Sequence, residues 1–175
     1  MSYFVTTKCS QGRTVFQIPE IAALMVDILI RYRDRGNYLL HEFVVMPDHL
    51  HLILTPSPQT SLEKSMQMIK GGGSFEIHKR REQKMEIWQP GFHDWTIRDA
   101  GDWDVKADYI RMNPVRAKLV AKIEDWPNSS ASGRFHLDSM PAKYSQLSSG
   151  AKALVVPPAT PELKLRPPEE NKARA

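Results

Sequence analysis

An α+β fold, with an antiparallel sheet and helices packed on one face, is what the pattern of this sequence predicts. Three observations carry that expectation. Strand-like and helix-like segments follow in the order strand, helix, strand, strand, helix, strand or loop, helix. Residues 49–55, HLHLILT, alternate as a half-buried strand does. Ile21, Leu24, Met25, Ile28, Leu29 and Tyr32 recur at helical spacing.

The first strand is YFVTTKC, residues 3–9, bounded by a Gln11-Gly12 turn. A helix follows, with Pro19 suited to its first position, Gly36 to the residue after its end, and the polar RYRDR as its solvated face. Residues 38–45 and 49–55 read as a hairpin joined by Met46-Pro47-Asp48. Thr60-x-x-Glu63 has the form of a capping box opening a second helix, with Leu62, Met66 and Ile69 on one face. Three glycines at 71–73 cost about 1 kcal/mol each relative to alanine inside a helix, so a break or hinge is expected there. Residues 87–98, IWQPGFHDWTIR, read as an edge strand or ordered loop, and residues 102–113 as a third helix stopped by Pro114. Residues 1–135 are expected to form one domain, and residues 136–175, rich in Pro, Ser and Lys, a mostly disordered basic tail.

Composition narrows the class. With 41% hydrophobic residues the 175-residue chain can bury a core, and its single cysteine, Cys9, cannot form an internal disulfide. The most apolar run, IAALMVDILI, is interrupted by Asp27 and is half the ~20 residues a bilayer span requires, so no membrane segment and a cytoplasmic location are expected. The net charge of +4 points only weakly to an anionic partner. Its distribution is more telling: basic residues gather in residues 64–84, in residues 106–122 and in the tail.

The chemistry-bearing stretch is MPDHLHLIL. Residues two apart on a strand share a face, so His49 and His51 aim together, with Ile53, while Leu50, Leu52 and Leu54 aim at the helices. Two imidazoles on one rigid strand form a natural two-point metal seat, although His-x-His also arises without any metal. With a single cysteine the chain is poorly supplied for a closed four-ligand structural zinc site, and an open site completed by an oxygen ligand and by substrate is the better metal hypothesis. In YIRMNPVRAKLV, Tyr109 and Asn113 are four apart and share a helix face. On residue physics alone, Tyr109 reads as a core residue packing near Val105 and Met112, and Asn113 as a cap before proline.

Taken together and in order, MPDHLHLIL, KGGGSF, IWQPGFHDWTIR and YIRMNPVRAKLV resemble the single-tyrosine HUH transposases, in particular the bacterial REP-associated tyrosine transposases of the IS200-like family. The resemblance spans roughly residues 1–135 and implies a ferredoxin-like, RRM-like sheet with the His-x-His pair on a central strand. It implies His49, His51 and Asn113 as ligands of Mg²⁺ or Mn²⁺, and Tyr109 as a nucleophile that cleaves single-stranded or hairpin DNA through a 5′-phosphotyrosine link. Arg111, Arg116, Lys118, Lys70 and Arg98 become candidate backbone contacts, and Trp95, Trp103 and Phe92 candidate stacking surfaces for unpaired bases. Asp48 could orient an imidazole, though a turn residue needs no such role, and His93 lies in a resembling segment without an evident role. Trp95 and Asn128 depart from the residues common in relatives. The resemblance further implies a monomer or homodimer, nucleoid-associated when bound to DNA. A catalytically silent, domesticated hairpin-binding protein is the alternative reading, and a metal-dependent hydrolase of another substrate a third.

Overall fold

A computed structural model describes residues 1–82 and 84–145. Four strands, β1 (Tyr3–Lys8), β2 (Tyr38–Val45), β3 (His49–Pro56) and β4 (His93–Thr96), form one sheet in the order β2-β3-β1-β4. Every neighbouring pair is antiparallel. The helices are α1 (Pro19–Asp34), α2 (Leu62–Arg81), α3 (Ala100–Arg116) and a short α4 (Ala142–Ser145). This strand order, with α1 and α2 packed together on one face, is the expected ferredoxin-like α+β arrangement, and β3 lies inside the sheet as expected.

Leu50, Leu52 and Leu54 pack with Val5, Leu40 and Phe43 against Met25, Leu29, Met66 and Ile69 of α1 and α2. The opposite face, expected to be open, is covered: α3 lies across it and buries Trp103, Ala107 and Ile110 against Phe4, Val44 and Ile53. The reason is that each inner strand and β2 carries one large apolar residue on that side, Phe4, Ile53 and Val44, so the sheet has a second face to bury.

Local sequence explains most element ends. Pro19 opens α1, and Gly36 follows its end at φ 74°, a left-handed conformation that glycine adopts without strain. The cap of α2 is Ser61, whose hydroxyl accepts from Lys64 N at 3.1 Å; Thr60, expected as the cap, instead takes a hydrogen bond from Ser57 Oγ at 3.0 Å. The expected break at the three glycines does not occur, and α2 runs through them. A Cβ on Gly72 would lie 2.7 Å from the Tyr32 ring and one on Gly73 2.9 Å from Met25 Sδ, so the glycines let α1 and α2 close on each other. That packing offsets their poor helix propensity.

The third helix is longer than expected. It begins at the Asp99 cap, which accepts from Asp102 N at 2.8 Å, and runs past Pro114 to Arg116. In the last turn proline forfeits one hydrogen bond, to Ile110 O, while Ala117 N still reaches Asn113 O and Leu119 N reaches Pro114 O, both at 2.9 Å. Asn113 is therefore an interior helix residue and not a cap.

After α3 the chain returns along the outer edge of β2. Val45 N donates to Asn128 O at 2.9 Å, Phe43 N to Ser130 Oγ at 3.2 Å, and Leu40 N to Asp138 Oδ2 at 2.8 Å. Arg33 pairs with Asp138 at 2.8 Å, and Tyr144 is buried with Trp103, so packing continues past the expected boundary at residue 135. The remainder of the expected tail, residues 146–175, lies outside the described residues. Among the described residues no helix is long and apolar enough to cross a membrane.

Candidate active site

Strand register builds the site. On β1, Phe4, Thr6 and Lys8 face the same way as their β3 partners Ile53, His51 and His49. Thr6 Oγ1 lies 2.8 Å from His51 Nδ1, and the Phe4 ring stacks on His51 at 5.4 Å between centroids, 17° from parallel. His49, at the mouth of the turn, has its Nδ1 2.6 Å from Asp48 Oδ1. The two imidazole centroids are 4.7 Å apart. Because Thr6 and Asp48 engage both Nδ1 atoms, each ring keeps Nε2 for another partner. Asp48 thus serves the turn and also orients His49.

Helix α3 brings Tyr109 onto this pair. Its ring meets His51 edge-on at 5.1 Å and Phe4 at 5.8 Å. Val105 and Met112, its neighbours along the helix face, are 40% and 37% exposed, so the buried contacts of Tyr109 are with the sheet. The guanidinium of Arg116 sits 5.5 Å from the Tyr109 ring centre, and Lys106 Nζ lies 4.9 Å from that of Phe4. His51 is 5% exposed. Burial, then the charges of His49, Lys8 and Lys106, holds it well below the ordinary histidine value, so it is a neutral imidazole with a lone pair to offer.

The other candidates separate into distinct groups. Asn113 lies one turn beyond Tyr109 on α3, half-buried. Arg116 and Lys118 are exposed at the end of that helix. Trp95, half-buried on the edge strand β4, is flanked by Arg98 at 5.4 Å and Lys106 at 5.0 Å. Phe92 and Trp103 are 7% and 6% exposed and their rings are spent in the two halves of the core, so neither presents a surface for a base. Lys70 Nζ donates to Gln89 O at 2.8 Å and Gly91 O at 2.6 Å, and burial lowers it to about 8; it braces the loop before β4. Arg111 pairs with the buried carboxylate of Glu42. His93 pairs with Thr6 across β1 and β4, on the histidine face, with Nδ1 buried and without a hydrogen-bond partner.

Sequence reasoning missed Phe4, Thr6, Lys106 and Glu42 as parts of this site. The alternation of Phe4, Thr6 and Lys8 was a legible signal, but which strand they would face was not. Among the described residues no group of three or more His, Cys, Asp or Glu side chains converges. A cation bound by His49 and His51 would therefore take its remaining donors from amide, hydroxyl, phosphate or water oxygen.

A ferredoxin-like sheet carrying paired histidines beneath a tyrosine helix defines a class of proteins, and comparison with known ones agrees with it. The family described as IS200-like transposases matches residues 1–113, and the chain belongs to that family. It is similar to the REP-associated tyrosine transposase of Escherichia coli K12, 29% identical over 138 residues, 78% of each chain. It is also similar to the ISDra2 transposase TnpA of Deinococcus radiodurans, 25% identical over 97 residues, 52% of this chain and 69% of that one. Among solved structures, the REP-associated tyrosine transposase bound to a REP hairpin shares the fold with a TM-score of 0.59 at 23% identity, covering 88% of this chain and 93% of that one.

Proposed function

We propose that the protein is a metal-dependent single-strand DNA endonuclease and strand transferase of the REP-associated type, with Tyr109 as its nucleophile. The observation that carries this reading is the convergence of the Tyr109 ring on His51, 5.1 Å away, at a histidine pair whose Nδ1 atoms are both already engaged. An inert core tyrosine needs no such company.

In this reading Tyr109 Oη bonds to phosphorus as the phosphorus–O3′ bond breaks. The phenol loses its proton and O3′ gains one, leaving a 5′-phosphotyrosine and a free 3′-OH whose rejoining needs no new energy source. A tyrosine in water ionises at about pH 10, so the phenolate character required must be supplied locally. Arg116, whose guanidinium is 5.5 Å from the Tyr109 ring centre, is placed to offset charge on a phosphate brought to the tyrosine. His49 and His51 would hold Mg²⁺ or Mn²⁺ through Nε2, with Asn113 supplying an amide oxygen. A bound cation supplies charge neutralisation at the scissile phosphate, and two imidazoles suit Mn²⁺ better than Mg²⁺. Asp48 and Thr6 keep both rings oriented for that task.

The substrate is single-stranded or hairpin DNA. The solved structure sharing this fold is bound to a REP hairpin, and exposed Arg116 and Lys118 with half-buried Trp95 offer phosphate and base contacts around the tyrosine. The covered edge of β2 favours a monomer over a dimer that would extend the sheet there.

The test is to incubate the full chain with labelled hairpin oligonucleotides from the DNA flanking its gene, with Mn²⁺, Mg²⁺ or EDTA, and to look for a protein-linked strand on denaturing gels. A metal-dependent adduct lost in Tyr109→Phe is the expected result. Tight binding without an adduct under any metal would instead establish a silent hairpin-binding protein. Indifference to the oligonucleotides would leave only a hydrolase of other substrates.

A further inference from the structure

The site needs Tyr109 held at a fixed height and rotation above His51, and apolar contacts are poor at that because they lack direction. One polar contact from the sheet to α3 does have direction. In β2 the pairing with β3 slips between Leu40 and Glu42, which leaves His41 as the extra residue and sets Glu42 opposite Ile53, on the α3 side. The Glu42 carboxylate is 9% exposed. It accepts from Arg111 Nη2 through Oε1 and from Ser130 Oγ through Oε2, the latter at 2.6 Å. Ser130 in turn accepts from Phe43 N at 3.2 Å. One side chain thus gathers α3 and the returning segment onto β2.

We propose that Glu42 is a positioning residue that fixes where α3 presents Tyr109; the inference rests on the reading of Tyr109 as the nucleophile. Tyr109 and Arg111 are two apart, about 200° around the helix, so their side chains leave it on different sides. Tyr109 reaches β1 and β3 through Phe4 and His51, and Arg111 reaches β2 through Glu42. A rotation that swings the phenol off His51 must break the Arg111–Glu42 pair and strand a buried carboxylate, which is strongly unfavourable. Asp108, 3.7 Å from Arg111 Nη1, is 73% exposed and cannot substitute for Glu42 as an anchor to the sheet. The assignment also gives Arg111 a role inside the protein, where the sequence suggested a DNA contact.

Glu42→Gln and Arg111→Gln test this in the full chain, with the hairpin oligonucleotides above as probe and circular dichroism fixing a temperature at which each variant is folded. Both variants are expected to form the covalent adduct ~10-fold more slowly at saturating oligonucleotide, with the Kd for it changed by less than about twofold, since a small misplacement of reacting atoms costs rate more than binding. Amide hydrogen exchange in residues 106–113 should quicken while that of β3 does not. A wild-type adduct rate in Glu42→Gln overturns the proposal. So does an Arg111→Gln variant that binds weakly yet reacts normally at saturation, because Arg111 would then be a DNA contact. If the wild type itself forms no adduct, the nucleophile reading fails separately, and hydrogen exchange alone decides: quickened α3 exchange upholds the latch, unchanged exchange overturns it.

Discussion

Leu50, Leu52 and Leu54 lie on one face of β3 with no exposed surface, packed against α1 and α2; His49 and His51 lie on the other, beneath a helix that carries Tyr109. The two faces are buried by different means. On the first, shape complementarity is enough, and the glycines of α2 admit Tyr32 and Met25 where a Cβ would intrude. On the second, burial takes in polar groups joined in pairs, Thr6 to His51, Asp48 to His49, Glu42 to Arg111 and Ser130, with His93 Nδ1 left without a partner. The first face holds the domain together, and the second holds the tyrosine and the histidine pair at set distances. Substitutions should therefore divide into those that cost stability and those that cost chemistry.

The largest expected effect is on the histidine face. Tyr109→Phe keeps the ring contacts with His51 and Phe4 but removes the hydroxyl, so adduct formation should vanish while stability stays within about 0.5 kcal/mol of wild type, read by denaturing gels and a thermal melt. Next, His49→Ala, at a half-buried ring, should slow the reaction by ~100-fold or more with little change in melting temperature. A large loss of stability in either variant would mean that this face is core like the other.

On the leucine face the order reverses. Gly73→Ala must displace Met25, which is fully buried, and should cost about 1–3 kcal/mol in denaturant unfolding while leaving the adduct rate intact at a permissive temperature. Gly71 has nothing within 4 Å of its would-be Cβ, so Gly71→Ala should stabilise by up to about 1 kcal/mol through helix propensity alone. Equal effects at 71 and 73 would show that propensity, and not helix-to-helix contact, governs these positions.

The smallest effect concerns His41, the residue extruded by the β2 bulge. Its Nε2 lies 2.9 Å from Thr55 Oγ1 and its Nδ1 3.0 Å from Asp138 O, and burial holds it below the ordinary histidine value of 6.5. The unfolded chain takes up a proton near that pH that the folded one refuses. Stability from this group is therefore present above the unfolded value and is lost as pH falls below it. His41→Gln should flatten part of the fall in melting temperature between about pH 7 and pH 5; an unchanged slope would assign that fall to other groups.

Much of this organisation was legible because it is local. Alternation on β3 separated leucines from histidines, Pro19 and Gly36 bounded α1, and the His-x-His and Tyr-x-x-x-Asn pairs follow from strand and helix periods. The errors were at places where a distant partner overrides a local preference. Glycines that weaken a helix are kept in one because α1 presses on them, and Pro114 is tolerated because only one bond near the helix end is lost. Phe92, Trp103 and Lys70 look like nucleic-acid contacts in a list of residue types, yet each is consumed by a neighbour far along the chain.

By itself, then, the sequence determined the order of elements, the two-sided character of β3 and the residue types able to do the chemistry, since these depend on spacings of two to four residues. Tertiary structure alone decided that α3 covers the histidine face, that Thr6 and Asp48 fix the two imidazoles, and that Arg111 turns inward to Glu42. Those outcomes depend on strand register and on a bulge of one residue. A shift of one position reverses which side every side chain faces, and such a shift leaves no trace in local periodicity.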